Sequence, residues 1–226
     1  MSQSKRVTVS RVLTEVESKE MLNAAGIPVV ETLLARNMKE AVAISREMGY
    51  PVALKLMSED VVHKSDAGGV QLGLQNNSQV EKAYSAMMKS VRAAYPGAKI
   101  DGVSVQRMAR PGVEVIVGMS KDPQFGPVLM FGLGGVMVEL LKDVSFRIVP
   151  VTKFDASEMI REIKGFPMLQ GFRGSKPCDL DALENLIVRV SEFVDCNPQI
   201  KELDLNPVFA YEDGVLAVDA RLVIEA

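Results

Sequence analysis

The chain has 226 residues, with 26 basic and 29 acidic side chains, a formal net charge of −3 and a single histidine. One histidine excludes any metal centre that needs two, and Cys178 and Cys196 are too far apart for a CxxC zinc or redox pair. The acidic balance argues against a nucleic-acid footprint, and no apolar run is long enough to span a membrane.

The start of the chain, Met1 to Arg11, is polar and basic and lacks the apolar stretch of a signal peptide. With only two cysteines, the expected compartment is the cytoplasm. Thr14-Glu15-Val16-Glu17 reads as a capping box opening a helix through Ala25, with Gly26 just past its end. Pro28 to Ala35 reads as a strand, and Asn37 caps a second helix that ends at Gly49. Pro51 to Met57 is a strand by its apolar and β-branched content. A polar stretch from Ser58 to Gly69 leads to a short strand, Val70 to Leu74. A helix from Ser78 to about Ala94 and a strand from Asp101 to Met108 follow.

After Pro111-Gly112 the texture changes. Apolar runs at 113–119, 127–132, 136–141 and 145–151 predict a meander of antiparallel strands. Asp155 is expected to cap a helix, and Asp179 to Val194 is a longer amphipathic one. The chain closes with strands near 200–210 and 215–223, joined by a tight turn at Glu212-Asp213-Gly214. The organisation expected is one α+β domain of two lobes, 12–108 and 109–226, hinged near Gln106 to Pro111. A ligand would sit in the cleft between the lobes.

Four features carry chemistry. In Val52-Ala53-Leu54-Lys55-Leu56, alternation puts Lys55 on the face opposite Val52, Leu54 and Leu56. It is either a cation aimed at phosphate or an edge lysine reaching to solvent. His63 lies in the Gly-rich segment Val62-His63-Lys64-Ser65-Asp66-Ala67-Gly68-Gly69, which reads as a mobile loop. A neutral imidazole there is a nucleophile or proton shuttle, or a surface histidine without a task. The run Phe131-Gly132-Leu133-Gly134-Gly135 fits neither a Walker A loop nor a dinucleotide fingerprint. Its glycines either make a tight turn or let backbone approach a phosphate.

The fourth is the closing hairpin. In Leu203-Asp204-Leu205-Asn206, alternation puts Asp204 and Asn206 on the face away from both leucines. Asp219 is expected to face away from Leu216, Val218 and Ala220. Folding the chain at 212–214 sets Asn206 opposite residues near 219 or 220. Two oxygen donors that close suit Mg²⁺ with room for water and phosphate, or else form the polar edge of a solvated hairpin. Together these are parts of a phosphoryl-transfer site.

Several segments resemble the ATP-grasp subunit of ADP-forming acyl-CoA synthetases, of the ADP-forming acetate–CoA ligase type. They are Glu17-Ser18-Lys19, PVALKLMSEDVVHKSDAGGV (51–70), EVIVGMSKDPQFGPVLMFGLGGVMVELLKDVSFRIVP (114–150), GFRGSKP (171–177) and ELDLNP (202–207). They occur in the expected order over essentially the whole chain. The resemblance implies the ATP-grasp fold, with ATP or ADP between the lobes. It implies that Lys55 contacts the nucleotide phosphates, that Gln106-Arg107-Met108 runs past the adenine, and that Glu114 touches nucleotide. Asn206 and Asp219 look like the Mg²⁺ ligands of related succinyl-CoA ligases. Asp204 takes the place of the acid that supports the phosphohistidine, an aspartate where the succinyl type carries glutamate. His63 matches the transiently phosphorylated loop histidine.

The resemblance also implies a partner, a CoA-binding α-type subunit in an α₂β₂ heteromer, because this chain carries no CoA-binding lobe. Two functions fit. One is the catalytic nucleotide-binding subunit of such an enzyme. The other is a non-catalytic nucleotide-sensing module of a regulatory or acetyltransferase-type assembly.

Overall fold

Two antiparallel sheets, each backed by its own helices, organise the chain in the computed structural model, which describes residues 10–58, 60–61, 64, 66–135, 142–172, 174 and 176–225. They belong to two units, Val30–Arg110 and the pair Met1–Val29 with Pro111–Ala226.

The smaller unit holds strands β2 (Thr32–Ala35), β3 (Val52–Met57), β4 (Val70–Leu74) and β5 (Gly102–Arg107), in the order β2-β5-β3-β4. Helices α2 (Met38–Met48) and α3 (Asn77–Ala94) pack on one face. Asn37 caps α2 by accepting from the Glu40 amide, and Asn76 caps α3 by accepting from Gln79. Val52, Leu54 and Leu56 of β3 join Val103 and Val105 of β5 and Val80, Met87 and Val91 of α3 in one core. The period-2 alternation expected for β3 is therefore the partition that the packing uses.

The larger unit is a seven-stranded sheet. Its strands are β1 (Ser10–Val12), β6 (Val113–Asp122), β7 (Gly126–Leu133), β8 (Val144–Ile148), β9 (Ile200–Tyr211), β10 (Gly214–Ala217) and β11 (Ala220–Glu225). The order is β1-β11-β9-β6-β7-β8, and β10 also pairs with β9. The expected meander is present as β6-β7-β8. The run expected as a strand at 136–141 lies outside the described residues. The turn from β6 to β7 is built by Asp122, whose carboxylate accepts from the amides of Gln124 and Phe125 before Gly126, at φ 75°.

Helices α1 (Glu15–Ala24), α4 (Lys153–Glu162) and α6 (Leu180–Cys196) supply Leu22, Met159, Ile160, Leu183, Ile187 and Val190 to the core, and the short α5 (Phe166–Leu169) adds Leu169. They meet Val115, Val117, Leu129, Phe131, Leu203 and Leu205 from the sheet.

Two local readings change. The helix α4 is capped by Thr152, not Asp155; Asp155 is the third residue of a capping box and reaches back to the Thr152 amide. The first helix also does not go with the strands that follow it. It belongs to the larger unit, where the Leu13 amide donates to the Leu222 carbonyl and Leu22 lies in the larger core. Burial against β11 outweighs nearness in sequence.

Candidate functional site

The residues singled out for chemistry fall into two groups, one in each unit. In the smaller unit, Lys55 stands on β3 between β5 and β4, opposite Ser104 and Val70. An inner strand is no sheet edge, so Lys55 is not an edge lysine. It is half-buried on the face away from α2 and α3, the face of Ser104 and Gln106, which are 1% and 2% exposed. Gln106 pairs with Ala53 on that same face. Arg107 pairs with Val52, so alternation sends it to the other face, where it is exposed. Met108 lies past the strand end, its amide donating to Pro51.

His63 lies outside the described residues. The chain on either side of it is tied down. The Ser58 hydroxyl donates to Lys99, the Lys99 amide donates to the Asp60 carboxylate, and Val61 is buried. On the other side the Gly69 amide donates to the Lys64 carbonyl, and the Gly69 carbonyl accepts from Leu56 of β3. A Cβ on Gly69 would lie 2.8 Å from the Lys64 carbonyl oxygen, so that close approach needs glycine.

In the larger unit, the glycine run packs on Glu114. The Gly134 amide donates to the Glu114 carbonyl at 2.7 Å, and a Cβ on Gly134 would lie 3.0 Å from that of Glu114. Gly135, at φ 63°, sits beside the Glu114 carboxylate. Gly132 has a packing reason of its own, because a Cβ there would lie 2.8 Å from Val144 of β8.

Asp204, Asn206 and Asp219 share one corner of the sheet. The hairpin register is the expected one: the Asn206 amide donates to the Asp219 carbonyl at 3.3 Å. Asp204 pairs with Gly118 of β6 on one side and Arg221 of β11 on the other. The expected alternation around Asp219 fails. Ala217 and Ala220 are buried, whereas Leu216 and Val218 are only half-buried. The cause is an irregularity in β9, where the pairing with β6 slips between Val115 and Val117. Asn206 and Pro207 lie there opposite the single residue Ile116, one more than a regular ladder holds, and the buried set changes from Leu203 and Leu205 to Val208 and Ala210. Such a bulge re-aims side chains at a chosen point of a strand.

Burial pushes the Asp204 carboxyl above its usual range; the Arg221 guanidinium opposes this and the charge of Asp219 adds to it. The two carboxylates are thus within electrostatic reach of each other. Asp204 also lines a groove of about 250 Å³ with Gly118, Ser120, Met130, Phe146 and Arg221. Among the described residues no cluster of three or more His, Cys, Asp or Glu side chains forms. A metal at this corner would therefore rest on Asn206 and Asp219, with phosphate oxygens and water completing it, a donor set that fits Mg²⁺.

The sequence reading gave two residues here no part in the site, although Lys19 stands in the matching segment Glu17-Ser18-Lys19. Arg221 was legible in principle, because the same hairpin register places it opposite Asp204. Lys19, whose ammonium donates to the Val218 carbonyl next to Asp219, is 199 positions away and no local pattern announces it.

Comparison with known proteins gives the family and the fold. The model of the ATP-grasp domain family matches residues 5–224. The chain is 53% identical to the β subunit of acetate–CoA ligase (ADP-forming) I from Pyrococcus furiosus, over 95% of this chain and 93% of that one. It is 50% identical to acetate–CoA ligase (ADP-forming) I of Archaeoglobus fulgidus, covering 92% of this chain but only 30% of that longer one. Among solved structures, the dinucleotide-forming acetyl-coenzyme A synthetase 1 of Ca. Korarchaeum cryptofilum superposes with a TM-score of 0.92 at 47% identity, over 95% of this chain and 94% of that one, in its complex with coenzyme A, Ca-AMPCP and HgCl⁺. Its complex with coenzyme A and Mg-AMPPCP, in which the phosphohistidine segment points towards the nucleotide-binding site, gives 0.84 at 44%, over 95% and 93% of the two chains.

Proposed function

The chain belongs to the ATP-grasp domain family and, within it, to the β subunits of ADP-forming acid–CoA ligases, and from that premise we propose that it passes a phosphoryl group between His63 and ADP. The observation that carries the reading is the corner where Asp204, Asn206 and Asp219 meet on one ladder, in a chain that matches these β subunits along nearly its whole length.

The chemistry divides between two subunits. A CoA-binding α-type partner, joined in an α₂β₂ heteromer, converts acyl-CoA and phosphate into acyl phosphate and CoA. A partner histidine attacks the phosphorus of that acyl phosphate, releasing the carboxylate. The imidazole of His63 then displaces the partner histidine. Finally a terminal oxygen of ADP attacks the phosphorus on His63, the N–P bond breaks and ATP leaves. After that acyl transfer, each of the three remaining steps moves one phosphoryl group in line, so catalysis on this chain is mostly positioning and charge stabilisation.

The residues of this chain supply both. Lys55 holds the nucleotide phosphates, and Gln106, Arg107 and Met108 pass the base. Glu114 and the backbone at Gly134-Gly135 add nucleotide contacts. Asp204 receives the imidazole of His63 by hydrogen bonding. Asn206 and Asp219 hold Mg²⁺, which when bound neutralises charge on the phosphates. The two Pyrococcus furiosus relatives that are named as β subunits, matched over 93% and 92% of their length, support the reading of this chain as one subunit of a larger enzyme. Cys178 and Cys196 are both free thiols, which supports the cytoplasmic location proposed here. Among the described residues no helix is long and apolar enough to cross a membrane.

The test uses the chain assembled with its CoA-binding partner. Labelled ATP and Mg²⁺ should leave acid-labile, base-stable label on this subunit, and His63→Ala should remove both that label and ATP formation from acyl-CoA, ADP and phosphate. Wild-type rates in His63→Ala would end the shuttle reading. Nucleotide binding without any label or turnover in the wild type would favour a nucleotide-sensing module.

A further inference from the structure

Helix α1 carries a buried charge with no part in the chemistry proposed so far. Lys19 is 3% exposed and its ammonium lies 2.7 Å from the carboxylate of Glu15, itself 10% exposed. Burying such a pair is costly, and apolar residues of the same volume would serve stability as well or better. The pair therefore calls for a reason other than stability.

The reason lies in the ladder that Lys19 touches. In an antiparallel pair, two hydrogen-bonded residues exchange both of their N–H···O bonds. Val218 donates its amide to the Pro207 carbonyl at 2.9 Å, but Pro207 has no N–H to return. The Val218 carbonyl would be left without its ladder donor at the point where the strand changes phase. Lys19 supplies that donor, at 2.7 Å. Its neighbour Ser18, fully buried, accepts from the Leu222 amide at 3.2 Å, so α1 holds the chain on both sides of Asp219, at Val218 before it and at Leu222 of β11 after it. The Asp219 carboxylate is itself turned back to accept from the Ala220 amide at 2.8 Å.

We propose that Lys19 is a positioning residue for the divalent-metal corner: its ammonium replaces the ladder donor that Pro207 lacks, and so fixes the Val218–Asp219 backbone and the Asp219 carboxylate opposite Asn206. The proposal rests on the reading of Asn206 and Asp219 as the metal pair. Partners one step behind a metal ligand typically govern affinity by about 10- to 100-fold.

The probe is Mn²⁺ in the presence of ADP, with free Mn²⁺ counted by electron paramagnetic resonance in the assembled complex. Lys19→Met keeps the volume and removes the donor. It should weaken Mn²⁺ binding by about tenfold, with ADP affinity in EDTA unchanged. Lys19→Arg keeps a charged donor and should stay close to wild type. If Lys19→Met fails to fold, Lys19→Gln, shorter by one atom and uncharged, takes its place with the same expected loss. Wild-type Mn²⁺ affinity in the neutral variants overturns the proposal, as does a loss in Lys19→Arg as large as in Lys19→Met. Asn206→Ala and Asp219→Ala are measured alongside. If they leave Mn²⁺ binding intact, the metal reading itself fails and takes this one with it. If they weaken it while Lys19→Met does not, only the role of Lys19 is lost.

Discussion

Lys55 shows how much a single residue's meaning depends on its strand. A lysine on an outer strand can bend its ammonium into water at little cost, whereas one flanked by β5 and β4 is held where the sheet puts it. Charge-assisted hydrogen bonds to phosphate contribute about 1.5–3 kcal/mol each. Lys55→Met is therefore expected to weaken ADP and ATP binding by roughly 10- to 150-fold while leaving the melting temperature nearly unchanged, and isothermal titration calorimetry checks it. An unchanged dissociation constant would remove Lys55 from the site. The alternation that put Lys55 opposite Leu54 and Leu56 was readable from six residues of β3. The inner position of that strand was not, since its partner β5 lies about fifty residues downstream.

At the scale of elements, hydrogen bonds between residues three or four apart made the helix starts legible. The Thr14 hydroxyl accepts from the Glu17 amide, while the Glu17 carboxylate accepts from the Thr14 amide at 2.8 Å. Thr14→Ala should cost about 1 kcal/mol in urea unfolding, the usual worth of an N-cap. The box also predicts a pH dependence. Burial acts to raise the Glu17 carboxyl, but bonds from Thr14 and Arg11 outweigh it and leave it below its ordinary value. A lowered carboxylate stabilises the fold above its unfolded-state pKa, and that stability is lost as pH falls through the folded value. The stability gap between wild type and Glu17→Gln should be constant from neutrality down to the ordinary glutamate range and close in stronger acid. A gap that persists in acid would contradict it. The same box pattern at Thr152 and Asp155 was read one turn late, because Asp155 is also a good N-cap by type; only the reach of its side chain back to the Thr152 amide decides.

For the whole molecule, the sequence of one contiguous unit, Val30–Arg110, interrupts the sequence of a discontinuous one. The core of Val30–Arg110 closes within its own sequence: Leu54, Leu56, Val80, Met87, Val91, Val103 and Val105 belong to one cluster whose described members all lie between Ala35 and Val105. A fragment of residues 30–110 should therefore fold alone, with a cooperative thermal transition followed by circular dichroism. A fragment of residues 111–226 lacks α1, whose Leu22 sits in the larger core, and should be less stable than the same unit with residues 10–29 supplied as a peptide. A broad, non-cooperative melt of 30–110 would show that its core is not self-sufficient. The sequence by itself determined the Thr14 and Asn37 caps, the turns, the β6-β7-β8 meander and the register that brings Asn206 to Asp219, because each follows from groups a few residues apart or from one tight hairpin. Only the tertiary structure decided that α1 joins the larger sheet, that the strands change phase at Asn206-Pro207, and that Lys19 meets the Val218 carbonyl. These depend on burying surface and satisfying a carbonyl across nearly the full length of the chain, and no local pattern of residue types encodes which distant side chain will do it.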